Sequence, residues 1–93
     1  MTVDIFEARV VSFETRESKN GEFVSLKVRQ DQRNAFVSAF DDASIDGDAV
    51  VLPSLAGGER RVAVGDIVTL RVRVGAYSNA KGAWASYTLQ GVA

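Results

Sequence analysis

No stretch of 11 consecutive residues in this chain places apolar side chains at helical spacing. Apolar positions instead alternate with polar ones, and β-branched residues are abundant, so the pattern restricts the chain to an all-β fold. Ninety-three residues amount to one domain, residues 1–93, with one modest core. The chain contains no cysteine and no histidine. It therefore has no thiolate nucleophile, no Ser–His or Cys–His pair, and no thiolate or imidazole metal site. Gly57-Gly58 is not followed by Lys-Ser/Thr, so it is no P-loop. The acidic cluster Asp41–Asp48 lacks the Asp-x-Asp-x-Asp-Gly spacing and the terminal Glu of a calcium loop, and the carboxylate pair Asp41/Asp42 lies in a flexible loop. We expect no enzymatic activity, no cofactor and no metal.

Five strands can be read along the chain. Val3–Thr15 begins with Phe6, Ala8 and Val10 on one face, then continues with Val11 and Phe13 on the other parity, as a β-bulge in a bent strand requires. Asn20-Gly21 marks a hairpin turn. Glu22–Gln30 follows, with Val24, Leu26 and Val28 inward and Phe23, Ser25, Lys27 and Arg29 outward. Ala35–Phe40 places Ala35, Val37 and Ala39 inward. A turn at Gln32-Arg33 would set Val28 opposite Val37, Leu26 opposite Ala39 and Lys27 opposite Ser38. Residues 41–61 read as a long irregular connection holding at most a short strand, Ala49–Leu52, ended by Pro53. Val62–Val74 is the clearest strand, entered through a turn at Val64-Gly65-Asp66. Gly75–Ala83 reads as a loop before the last strand, Trp84–Val92.

Five strands, a bent first strand and a long connection between the third and fourth fit a five-stranded OB-fold barrel. An SH3-like barrel is the alternative. The OB barrel binds oligonucleotides or oligosaccharides on its strand 2–3 face and at its 1–2 and 4–5 loops.

The net charge of −1 conceals a segregated distribution. Residues 1–40 carry six basic and six acidic side chains, residues 41–48 carry four Asp and no base, and residues 49–93 carry five basic and two acidic. The acidic excess is thus one loop. The basic residues recur beside aromatics: Arg16 and Lys19 in the first hairpin, Lys27 and Arg29 beside Phe23, Phe36 and Phe40 on the facing strand, Arg71 and Arg73 outward on the fourth strand, and Lys81 between Tyr77 and Trp84. Single-stranded nucleic acid requires this combination. Lys and Arg neutralise phosphates, and exposed aromatic rings stack on unpaired bases, which a duplex does not offer. Phe23, Phe36, Phe40 and Trp84 are the stacking candidates; Arg16, Lys19, Lys27, Arg29, Arg71, Arg73 and Lys81 are the phosphate candidates. Alternating Lys and Arg on a strand also describes a plain solvated face, and exposed Phe and Trp also describe a protein interface.

The stretch Phe13-Glu-Thr-Arg16-Glu-Ser-Lys-Asn-Gly21-Glu-Phe23-Val-Ser25-Leu26 resembles the Phe-x-Thr-Arg motif, with its following Gly, aromatic and Ser-Leu, of the gene V-type helix-destabilising proteins of filamentous phages. More broadly, the chain resembles the OB-fold single-stranded DNA-binding proteins of bacteria, phages and plasmids. The resemblance implies a homodimer or higher homo-oligomer that coats single-stranded DNA or RNA in replication or protection. It implies a phosphate contact at Arg16, a stacking ring at Phe23 and a hairpin aromatic at Tyr77. A protein-assembly module and an oligosaccharide-binding barrel are the other function classes. The segment MTVDIFEARV lacks a basic region followed by an apolar one, and no apolar run approaches a membrane span, so we expect a cytoplasmic location and no membrane partner.

Overall fold

The computed structural model describes residues 1–93, with the side chains of all except residues 77 and 79. The strands are β1 (Thr2–Ser18), β2 (Gly21–Gln30), β3 (Arg33–Ala39), β4 (Ser44–Asp46), β5 (Ala49–Pro53), β6 (Glu59–Ala63), β7 (Ile67–Asn79) and β8 (Gly82–Val92). Five of them close into a barrel in the order β1-β2-β3-β8-β7, and β4-β5-β6 form a separate sheet. Barrel neighbours are antiparallel except β3 and β8, which run parallel and pair through Ser38 and Thr88. The chain is therefore all-β with an OB-fold-like barrel, as the alternation pattern predicts.

β1 serves two sides of the barrel by changing phase twice. Val10 pairs with Val28 but Ser12 pairs with Lys27, which leaves Val11 as the bulged residue at the expected phase change. A second shift falls between Ile5 and Ala8, where Glu7 takes a φ of 50°. This second bulge corrects the place of Phe6. Val3 and Ile5 reach the core on one parity and Ala8 and Val10 on the other, so Phe6 is outside and 60% exposed.

The first two hairpins turn earlier than the sequence suggests. Ser18 pairs with Gly21, so Lys19 and Asn20 form the first tip, and Gly21 supplies the positive φ of 116°. In the second, Asp31 and Gln32 both take positive φ (48° and 66°) and Gln30 pairs with Arg33. The β2–β3 register is therefore two residues away from the expected one. Val28 faces Ala35, Leu26 faces Val37 and Lys27 faces Phe36. A two-residue shift preserves parity, so Val24, Leu26, Val28, Val37 and Ala39 are buried as expected.

The connection at 41–61 is more regular than expected. It carries β4, β5 and the start of β6, an antiparallel meander turned at Gly47 (φ 63°). Val50, Leu52 and Val62 are fully buried and share one cluster with Leu26, Leu70 and Val92 of the barrel. The meander thus plugs one barrel end. It is fastened there by the backbone bond from Leu55 N–H to the Val92 carbonyl at 2.9 Å. The expected Val62–Val74 strand is broken at Gly65 into β6 and β7. The expected loop at Gly75–Ala83 is instead a continuation of the β7–β8 ladder as far as Asn79 and Gly82, with Ala80 and Lys81 at the tip. Its small residues have weak strand propensity, and the ladder holds them extended.

Candidate nucleic-acid interface

The registers arrange the outward residues of β1, β2, β3, β8 and β7 into rows across the barrel. One row runs Arg16–Phe23, with Phe40 just beyond the end of β3. The Phe23 and Phe40 rings lie 4.8 Å apart between centroids and are tilted by 30°. The next row runs Glu14–Ser25–Ser38–Thr88–Arg73. The third runs Ser12–Lys27–Phe36, and the last contains Arg29 opposite Asn34. Trp84 lies on the same outward parity of β8 as Thr88, two steps back along the strand.

This pattern makes a trough. Its floor is the hydroxyl row Ser25, Ser38 and Thr88, in which Ser25 is only 7% exposed despite pointing outward and the other two are half-buried. One wall is the Phe23–Phe40 pair; the other is Phe36, 57% exposed, with Lys27 directly across from it. Phe40 is 47% exposed and Trp84 46%. Partly covered rings beside a hydroxyl floor offer π-faces and hydrogen-bond donors to an extended strand.

The cations divide into two groups. Arg16 is tied to Glu14 at 2.6 Å, and Arg71 is tied to Asp4 of β1 at 3.0 Å. The hydrogen bond from Arg71 and the charge of Asp4 together raise the guanidinium pKa above its ordinary value. Arg71 therefore leans toward β1 and away from the trough. Lys27, Arg29 and Arg73 lie on the trough rows, and no ion pair involves them among the described residues. Lys19 and Lys81 sit at the two hairpin tips. The side chain of Tyr77 lies outside the described residues; its backbone pairs with Trp84.

The acidic segment borders this face without covering it. A cleft of about 270 Å³ separates Phe23 from Ala43–Ile45. Asp46 is engaged by Arg61 at 2.5 Å, so its charge is directed to the meander. Among the described residues, no group of three or more acidic side chains is placed to hold a metal ion.

No family model, curated protein or solved structure matches this chain. The function is accordingly argued from the trough.

Sequence reasoning named the aromatics and cations but missed Ser38, Thr88 and Asn34. Their signal is positional: small polar residues on the outward parity, made into a row only by cross-strand pairing.

Proposed function

We propose that the protein is a non-enzymatic binder of single-stranded nucleic acid, with little sequence preference over most of its contact surface, acting in the replication or protection of single strands. The observation that carries this reading is the trough itself. Two exposed aromatic walls, a hydroxyl floor and two cations, Lys27 and Arg29, in no ion pair among the described residues, share one barrel face, and Arg73 stands at the β7 end of the hydroxyl row. Bases would stack on Phe36, Phe40 and Trp84, with Phe23 backing Phe40. Phosphates would be neutralised by Lys27, Arg29 and Arg73, and by Lys19 and Lys81 as the hairpins close on the strand.

Fluorescence anisotropy of labelled oligo(dT) tests the proposal. Unlabelled single strands should compete at low salt, and duplex of equal length should compete far less. Equal competition by duplex, or no binding, contradicts it.

One domain has a short footprint, and coupling two copies raises affinity without new contacts. The β1–β7 seam supplies a surface for this, which fits a second copy of the chain. Phe6, Val64 and Ile67 are each more than half exposed there, and Ile67 faces Arg9. Glu7 and Arg9 flank the patch, both exposed and in no ion pair among the described residues, so each copy offers both signs of charge at the contact. The seam is across the barrel from β3, which keeps it away from Phe36 and Ser38, while Arg9 at its edge pairs with Arg29. If the seam alone were the working surface, the chain would be an assembly module; the anisotropy experiment separates the two.

A further inference from the structure

The hydroxyl row on the trough floor ends in a cation. Arg73 lies directly opposite Thr88, and its other neighbour across the sheet is Thr2 of β1. Hydroxyl residues therefore stand on both sides of this arginine, and no ion pair involves it among the described residues. The carboxylate on the row, Glu14, is at the opposite end and is tied to Arg16 at 2.6 Å. An anion on the row is thus drawn toward Arg73. The hydroxyls between these ends are uncommitted. Ser25, Ser38 and Thr88 make no side-chain hydrogen bond among the described residues. For Ser25 this holds although the residue is only 7% exposed, and a polar group so enclosed ordinarily has a partner. Among the described residues no fully buried side-chain polar atom lacks a partner, so the Ser25 oxygen opens on the trough.

The rings stand to either side of this row and not on it. Phe36 and Phe40 are each two residues from Ser38, in opposite directions along the chain, which sets them about 6–7 Å from the row. The trough therefore offers π-faces at its walls, and donors with a cation along its floor. Bases match the first chemistry. Phosphate oxygens match the second, because they only accept, and hydroxyl and guanidinium groups are regular donors to them. Ser38 and Thr88 are one sheet step apart, about 4.8 Å, so their hydroxyls can donate to two oxygens of a single phosphate. Arg73 reaches the same group from the far side of Thr88.

We propose that the phosphodiester backbone of the bound strand lies along the hydroxyl row, with one phosphate held by Ser38, Thr88 and Arg73 and the bases turned to the aromatic walls. Ser25 continues the donor row beneath the neighbouring linkage. The floor then contacts the part of the strand that is the same in every sequence. Its hydroxyl contacts carry no charge and release no counterion, so they add affinity that salt does not remove. The inference rests on the single-strand reading above and adds to it which side of the strand faces the protein.

The test uses oligo(dT) and an abasic oligomer of equal length, which keeps every phosphate and carries no base, both measured at low salt against the full chain. Ser38→Ala should weaken the two oligomers alike, by about tenfold, the effect of one hydrogen bond to a charged acceptor. The salt slope should not change, since no charge is removed. Thr88→Val removes a hydroxyl while keeping a side chain that favours a strand; it should do the same, and it guards against a folding defect in the first variant. Arg73→Gln should weaken both oligomers and make the slope shallower by about 0.7. If the two hydroxyl variants weaken oligo(dT) but leave the abasic oligomer unchanged, the bases face the floor and the proposal is overturned while the single-strand reading stands. Unchanged affinity of both oligomers for both variants overturns it in the same way, as does an abasic oligomer that the unaltered protein does not bind. Failure of the unaltered protein to bind oligo(dT) removes the single-strand reading and the proposal with it.

Discussion

Replacing Phe36 by alanine separates binding from folding at this surface. The ring is 57% exposed, so about two fifths of it is covered. A Phe side chain buries roughly 200 Å² when fully enclosed, so the covered part is about 80 Å², and at ~25 cal/mol per Å² its loss costs at most about 2 kcal/mol. Domains of this size are stable by about 5–15 kcal/mol, so Phe36→Ala remains folded. A base stacked on the ring contributes about 1–3 kcal/mol, so the variant should bind oligo(dT) roughly 5- to 150-fold more weakly. Trp84 fluorescence titrated at several salt concentrations reads both quantities. The log–log salt slope should be unchanged, because no charge is removed. Lys27→Ala, directly opposite, should show the converse: a slope shallower by about 0.7 and a loss that fades at high salt. A Phe36→Ala affinity within twofold of the unaltered protein, in a folded variant, refutes the stacking role.

Other outcomes follow from the fold. Leu52→Ala, in the meander but fully buried, should destabilise the whole domain by about 2–5 kcal/mol in a single denaturant transition, since meander and barrel share one core. A separate, earlier transition would show that the meander unfolds by itself. Gln32→Gly should stabilise the chain by about 1 kcal/mol, because Gln32 occupies a φ of 66° that glycine adopts without steric cost. A melting temperature raised by about 4–8 °C is the expected reading. Phe6→Asp should shift sedimentation from dimer to monomer and leave the domain folded, as Phe6 contributes little to the core. An unchanged sedimentation coefficient would remove the β1–β7 seam as the contact.

The faces of the strands were legible because period-two alternation records which side is buried. Val24, Leu26, Val28, Val37 and Ala39 could be assigned inward from spacing alone. Register was not legible in the same way. A two-residue slip leaves every inward residue inward, and the choice was made by Asp31 and Gln32 adopting positive φ against their usual preference. That slip set Lys27 opposite Phe36 and brought Phe40 onto Phe23, so it also decided the shape of the trough. Phe6 was misplaced because the bulge at Glu7 carries no glycine to mark it. The Gly75–Ala83 ribbon and the meander were obscured for a different reason. Their strands are short or built of small residues, so their order comes from cross-strand hydrogen bonds, which single-strand propensity does not register. The stacking and phosphate candidates were visible as residue types. The hydroxyl floor exists only once distant strands are side by side.

The central claim is that a single strand lies in the trough formed by β1, β2, β3 and β8. Chemical-shift mapping of the backbone amides during titration with oligo(dT) tests it most directly. The account predicts the largest changes at Ser25–Arg29, Asn34–Phe40, Trp84–Thr88 and the two hairpin tips, with the β4–β6 meander unmoved. Changes confined to the meander or to the β1–β7 seam, or none at low salt, would contradict it.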